Sequence, residues 1–167
     1  TLIGKPSEIV GGSGSDTVDF TGLNESVKIS VDADVPADLA ITDIEQLLGS
    51  DSQHNTLVSG FEESDWVVNE RNGGTLSLGS NNALAFTGFS ILQGLNDNHF
   101  SIENTGVVAH VVGGSGTNIL EMNAEGKHFW TVSGAGVGTL ASETEAILNF
   151  SNIQEVLGGV GDDEFEF

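Results

Sequence analysis

The sequence predicts an all-β fold and, within that class, a parallel β-solenoid of the β-helix or β-roll kind with coils of about 20 residues. Three observations predict it. Apolar and polar residues alternate in short runs, glycines cluster in the turns before those runs, and the pattern recurs after about 64 residues. A solenoid supplies parallel neighbours by coiling, so it needs no crossover helices between strands.

The strand prediction depends on short segments rich in β-branched and aromatic residues. The clearest segments are residues 17–20, 27–31, 66–68, 107–112 and 130–132. Only residues 142–146, where Ser142 is a candidate N-cap, suggest a short helix.

Five polar turns punctuate these segments, and each ends in an aspartate or asparagine. The final residues are Asp16, Asn55, Asn98, Asn118 and Asp163. The spacing between successive positions is close to one or two multiples of about 20 residues, the size of a solenoid coil.

A longer internal repeat relates residues 55–100 to residues 118–165. Both blocks contain Asn-x-Leu, Trp-x-Val, Gly-Thr-Leu and Phe in the same order, at a shift of about 64 residues. Trp66 and Trp130 are equivalent in this repeat, which predicts a packing role for both rather than a sugar-binding platform. Residues 1–167 therefore form a single solenoid segment, and we expect it to belong to a longer chain.

The charge of the chain limits its partners. Only 4 lysines and arginines oppose 25 aspartates and glutamates, giving a formal net charge of −21. Nucleic acids and anionic membranes would repel such a polyanion, whereas cations would relieve its self-repulsion. The chain has no cysteine, which excludes disulfides and thiolate metal sites. It also has no apolar run long enough for membrane insertion.

Three segments match the nonapeptide Gly-Gly-x-Gly-x-Asp/Asn-x-apolar-x, at residues 11–19, 113–121 and 158–166. On these motifs and the longer repeat, the chain resembles the repeat regions of giant bacterial RTX-like β-solenoid surface and adhesin proteins. The resemblance covers nearly all of residues 7–167.

The resemblance implies calcium bound between stacked turns, through glycine carbonyls and aspartate carboxylates, which are ligands that suit this cation. The candidate ligand positions are Gly12, Gly14, Asp16, Asp97, Asn118, Gly159, Gly161, Asp162 and Asp163. The nonapeptides are not in tandem, however, and Asn118 lacks a charge. The alternative is that these Asp and Asn side chains only cap their turns by accepting backbone N–H groups.

The function implied by the resemblance is a structural or adhesive repeat module of a large secreted or surface-exposed protein. Its expected partners are neighbouring repeat segments of the same chain and, for adhesion, a cell-surface glycan or protein. The alternatives are a carbohydrate- or cell-surface-binding module and an accessory β-helix of a polysaccharide-active exoenzyme.

The residues favour a non-enzyme. His54, His99, His110 and His128 are scattered without the spacing of a zinc site. Carboxylate pairs such as Glu62-Glu63 lack the basic residues that would hold an acidic sugar, and no nucleophile elbow occurs.

Overall fold

The chain is all-β in a computed structural model that describes residues 6–32, 34–77, 83–103 and 105–167. In these ranges sixteen strands form one sheet, and no helix is present. The all-β prediction is confirmed. No membrane-spanning helix is found in the same ranges.

The strands are short at the N-terminal end of the chain and longer towards the C-terminal end. In chain order they are β1 (Glu8–Val10), β2 (Thr17–Asp19), β3 (Lys28–Ser30), β4 (Leu39–Thr42), β5 (Gln46–Leu48), β6 (Thr56–Ser59), β7 (Glu63–Glu70), β8 (Gly73–Ser77), β9 (Ala83–Thr87), β10 (Ile91–Gly94), β11 (Asp97–Glu103), β12 (His110–Val112), β13 (Asn118–Gly134), β14 (Val137–Ser142), β15 (Ala146–Ser151) and β16 (Glu155–Glu166).

Most strand pairs are parallel and form three columns. The first column runs β1-β4-β3-β6-β10-β12-β15, the second β2-β5-β9, and the third β7-β11-β13-β16. Two antiparallel units, β7-β8-β9 and β13-β14-β15, connect the columns. The sheet is therefore mixed, and the uniformly parallel sheet expected of a simple solenoid is not what the structure has.

The two antiparallel units begin at equivalent tight reversals of the chain. Asn72, with φ of 57°, stands between β7 and β8, and Gly136, with φ of 68°, stands between β13 and β14. Both reversals are short, because Glu70 pairs with Gly73 and Gly134 with Val137. Positive φ at these positions is typical of short hairpins, which turn the chain back instead of passing it to the next coil.

The parallel pairs join residues at several different spacings along the chain. Ile91 pairs with His110 and Asn98 with Asn118, so each of these steps spans about 20 residues. Glu63 pairs with Asp97 after a longer step, because β8 and β9 are inserted between them. The predicted spacing thus occurs at these two pairs, whereas the pairs of β1 with β4, β2 with β5 and β3 with β6 join residues farther apart although no hairpin lies between them.

The core repeats its aromatic packing. Trp66 stacks on Phe100 at a centroid distance of 5.5 Å, and Trp130 stacks on Phe165 at 5.7 Å. Both tryptophans are at most 1% exposed, so the predicted packing role is confirmed. Along β7, Trp66 and Val68 point inwards while alternate residues are exposed or half-buried, as expected of a strand with one core-facing side.

The helix suggested for residues 142–146 is wrong, because these residues span the turn between β14 and β15. The Ser142 hydroxyl accepts hydrogen bonds from the backbone N–H groups of Thr144 and Glu145, at 3.3 and 3.2 Å. The serine therefore caps a turn, and the chain then continues as the strand β15.

Candidate functional site in the glycine-rich turns

Glycine conformations define the first and last of the three nonapeptide turns. Gly12 and Gly14, between β1 and β2, have φ of 91° and 140°, and Gly159 and Gly161, within β16, have φ of 67° and 111°. All four lie in the region that residues with a Cβ rarely adopt. The sequence therefore places glycines where the backbone of these turns needs positive φ.

Asp16 closes the first turn and has an unpartnered carboxylate oxygen. Its Oδ2 atom is buried and makes no hydrogen bond within the described residues. Its backbone N–H donates to Glu45 Oε2 at 2.7 Å, and its carbonyl accepts from Glu45 and Gln46 N–H, both at 3.1 Å. The turn is thus held against the segment that carries Glu45, and one carboxylate oxygen has no donor among the residues that the structure describes.

These atoms fit the calcium implied by the resemblance. Asp16 and Glu45 bring two carboxylates to one turn, and carboxylate oxygens are ligands that suit calcium. A buried polar atom without a partner costs about 1–3 kcal/mol, which a cation at Oδ2 would offset. Glu45 was missed by the sequence analysis, because only the register between β2 and β5 brings it to Asp16.

The side chain of Asp97 caps the turn that precedes β13. Its Oδ1 atom accepts the backbone N–H of Thr117 at 2.7 Å, so the side chain lies against the turn at residues 113–118. The fit is close, since a Cβ on Gly116 would overlap this carboxylate. Asp97 and Asn118 are thus brought to one turn, where the capping role favoured by the alternative interpretation is the one observed for Asp97.

Asn118 is fully buried and makes hydrogen bonds through both ends of its amide. Its Nδ2 donates to the carbonyls of Gly114 and Gly116 at 3.2 and 3.1 Å, and to Gln154 Oε1 at 3.1 Å. Its Oδ1 accepts Asn98 Nδ2 at 2.8 Å. The glycine carbonyls that would have to bind a cation here already accept hydrogen bonds from the Asn118 amide. The groups around Asn118 therefore do not form a calcium site.

The buried amides continue across neighbouring strands. Trp66 Nε1 donates to Asn98 Oδ1 at 3.1 Å, Asn98 donates to Asn118, and Asn118 donates to Gln154. We call these four side chains the amide chain. It crosses the boundaries between β7, β11 and β13 and reaches the residue before β16. From the sequence, Asn98 was expected only to end one of the five polar turns, and no role was predicted for Gln154.

Asn55 repeats this type of contact at another turn. Its Nδ2 donates to the carbonyls of Ser50, Ser52 and Gly88 at 2.9, 3.1 and 2.8 Å, and its Oδ1 accepts from Val27 N–H and the Ser50 hydroxyl. Like Asn118, it is completely buried. Its donors and acceptors are satisfied, as buried polar groups require.

The last turn carries the two remaining candidate aspartates. Asp163 Oδ1 accepts Trp130 Nε1 at 2.9 Å and lies 3.7 Å from Nδ1 of the buried His128. Asp162 is exposed and is the register partner of Lys127. Lys127 is also bonded to Glu164 at 2.9 Å, and this carboxylate raises the pKa of the lysine. These aspartates therefore lie among cationic or donor groups of β13.

The first and last turns are not brought together. Asp16 lies beside β5, whereas Asp163 lies beside β13, and no strand pair within the described ranges joins β1 or β2 to β16. In the same part of the chain, no three His, Asp or Glu side chains converge as a metal-binding group. Backbone carbonyls supply many calcium ligands in turns, besides the side chains.

The other candidate chemistry is dispersed or exposed. His99 Nε2 lies 3.1 Å from Glu121 Oε2, and its Nδ1 lies 3.9 Å from Asp65, on the sheet surface. Two open clefts of about 430 and 390 Å³ flank the exposed ion pair between Arg71 and Glu145, at 2.6 Å. Glu62 and Glu63 line neither cleft.

Compared with known proteins, the chain matches no family model, and no curated protein or solved structure was found to be similar to it. The functional argument therefore depends on the turns, the amide chain and the sheet itself.

Proposed function

We propose that the chain is a structural repeat module of a large secreted or surface-exposed bacterial protein, built as a β-solenoid whose coils are interrupted by two antiparallel hairpins. The observation that carries this proposal is the repetition of one coil-to-coil contact. Trp66, Phe100 and Asn98 recur as Trp130, Phe165 and Asp163 with the same stacking and the same indole hydrogen bond. Repeats that contact only their neighbours are typical of solenoid modules.

The parallel columns support this architecture. Steps of about 20 residues occur between β10 and β12 and between β11 and β13. The steps from β7 to β11 and from β13 to β16 contain β8 and β9 or β14 and β15, and these inserted units account for the mixed sheet. Neighbouring repeat segments are the partners that such a stack would have at its ends. A glycan or protein on a cell surface is the partner that adhesion would require.

Calcium stabilisation at Asp16 is part of the proposal. The unpartnered Asp16 Oδ2, the adjacent Glu45 carboxylate and the formal charge of −21 all favour a bound cation at this turn. Because a ligand stabilises the folded state to which it binds, the module would gain stability where free calcium is abundant. An extracellular location meets that condition, and cytosol does not.

The proposed stabilisation by calcium is tested by comparing thermal unfolding in calcium chloride and in a chelator. For the unsubstituted chain we expect a higher Tm with calcium, and Asp16→Asn and Glu45→Gln should each lose most of that difference. Asp51→Asn, which removes an exposed carboxylate away from this turn, is the matched control and should keep it. An identical Tm in both solutions would remove calcium from the proposal.

The structural role itself is tested separately. Small-angle X-ray scattering of the chain joined to further repeat segments should give a rod whose length grows in proportion to the number of segments. A compact or unchanged particle would contradict the spacer function. Strong binding to members of a glycan array would instead support the carbohydrate-binding alternative.

A further inference from the structure

Three buried asparagines end polar turns of this chain. Asn55, Asn98 and Asn118 are 0%, 4% and 0% exposed, whereas Asp16 and Asp163, which end the other turns, are half-buried. Amide and carboxylate are therefore divided by position along the chain: the amides end the three middle turns, and the carboxylates end the first and last turns.

The orientation of the Asn118 amide follows from its partners. Nδ2 faces three acceptors, the carbonyls of Gly114 and Gly116 and Oε1 of Gln154, while Oδ1 faces the Asn98 amide nitrogen. Exchanging N and O would place an oxygen against three acceptors. The amide N–H₂ group thus occupies the space between the turn carbonyls, where it presents the positive end of a dipole.

We propose that these amides take the place of a bound cation, so that the middle coils are joined by neutral hydrogen bonds and the turn at Asn118 excludes calcium. An N–H donor and a cation compete for the same carbonyl oxygens. The Asn118 oxygen is also already used by Asn98. Cation dependence is consequently confined to turns that end in aspartate, with Asp16 the best-fitting one.

Replacement of Asn118 by aspartate should make the stability of this turn depend on a bound cation. The new carboxylate oxygen would face two carbonyls and the Gln154 oxygen without a donor, so the coil would be destabilised unless a cation entered between them. Asn118→Ala removes the amide without adding charge. It should weaken the coil as well, but calcium should not restore it.

The experiment is hydrogen exchange of peptides covering residues 113–123, in calcium and in chelator, with Asp16→Asn as the background so that the first turn does not contribute. Without a further substitution, exchange should be the same in both solutions. With Asn118→Asp, exchange in chelator should be faster by about tenfold or more, and calcium should reverse much of the change. Asn118→Ala should be fast in both solutions.

Luminescence of bound terbium locates the new site. Trp66 belongs to the same amide chain, so Asn118→Asp should gain terbium emission excited through tryptophan, and Trp66→Phe should reduce that gain. Exchange of residues 113–123 that depends on calcium while Asn118 is intact would overturn the inference, as would an Asn118→Asp protein that gains no cation response. If that variant does not fold, the exchange of the background protein still decides the question. Failure of calcium to bind at Asp16 would leave this inference unaffected.

Discussion

The indole nitrogen of Trp130 donates a hydrogen bond of 2.9 Å to Asp163 Oδ1. The equivalent bond in the preceding repeat joins Trp66 to the neutral Asn98 at 3.1 Å. Asn98 in turn donates to Asn118 on the neighbouring strand β13, whereas the Asp163 carboxylate can only accept. Asn98 therefore both receives a hydrogen bond and donates one to the next strand, and Asp163 only receives.

This difference predicts opposite responses to exchanging the two residues. Asn98→Asp should lower the free energy of unfolding by about 3 kcal/mol or more, because its oxygen would face Asn96 O and Asn118 Oδ1 without a donor. Asp163→Asn should change it by less than about 1 kcal/mol, since the indole can still donate to an amide oxygen. Urea denaturation measures both values, and equal losses would contradict the proposed distinction.

The aromatic stacks predict a gradient of stability. Phe100 is fully buried and Phe165 is 40% exposed, although both stack on a tryptophan. Phe100→Ala should cost about 3–5 kcal/mol, and Phe165→Ala roughly half of that or less. Phe61→Ala, at a phenylalanine of 39% exposure for which no ring contact is found among the described residues, is the control and should cost least. Chemical denaturation of the three variants gives the order, and a larger loss for Phe165 than for Phe100 would be inconsistent with it.

Close packing between the turns at Gly114 and Leu95 predicts the effect of adding a single methyl group at Gly114. A Cβ on Gly114 would overlap the backbone of Leu95, so Gly114→Ala should destabilise the fold by about 1–3 kcal/mol. Gly134 has open space around it and should accept alanine with no loss, or with a gain of up to about 1 kcal/mol. Thermal unfolding compares the two variants. Equal stability would show that the coils are not in close contact at Gly114.

Two hydrogen bonds lower the pKa of the Asp19 carboxyl group, and removing one of them should raise it. The Thr21 hydroxyl and backbone N–H both donate to Asp19 Oδ1, at 2.6 and 2.7 Å, and lower the pKa of Asp19. Because the folded-state pKa lies below the ordinary value of about 3.9, the stabilisation is present above that value and is lost as the pH falls through the folded-state pKa. Thr21→Val should move the pKa back towards the ordinary value, as measured by NMR of the carboxyl carbon. Thr17→Val, which removes a hydroxyl bonded to Gln46 instead, should leave it unchanged.

The sequence predicted the strands and the equivalence of Trp66 and Trp130, but not the antiparallel units. Alternation of apolar residues is the same in parallel and antiparallel strands, so it carries no information about direction. The direction is decided at the turns. Asn72-Gly73 is a known hairpin signal, and it was available in the sequence beside a strand already predicted at residues 66–68.

The candidate site was predicted only in part, and the reason differs from that for the antiparallel units. The motif identified Asp16 and its glycines, but Glu45 is distant along the chain and meets Asp16 only through the pairing of Thr17 with Gln46. Similarly, Asn118 looked like a weakened calcium ligand because its charge is missing. Its three acceptors and one donor, which only the structure provides, are the basis for inferring that the amide occupies the space a cation would take between the turn carbonyls. Spacing along the chain does not encode such contacts.

The amide chain from Trp66 to Gln154 has a mechanical consequence. Its hydrogen bonds join each strand to the next. A force that pulls the strands apart loads the strand boundaries in series, and at each boundary the amide-chain bond shares the load with the backbone hydrogen bonds beside it. We therefore expect the molecule to lengthen in discrete steps under load, with the weakest boundary opening first.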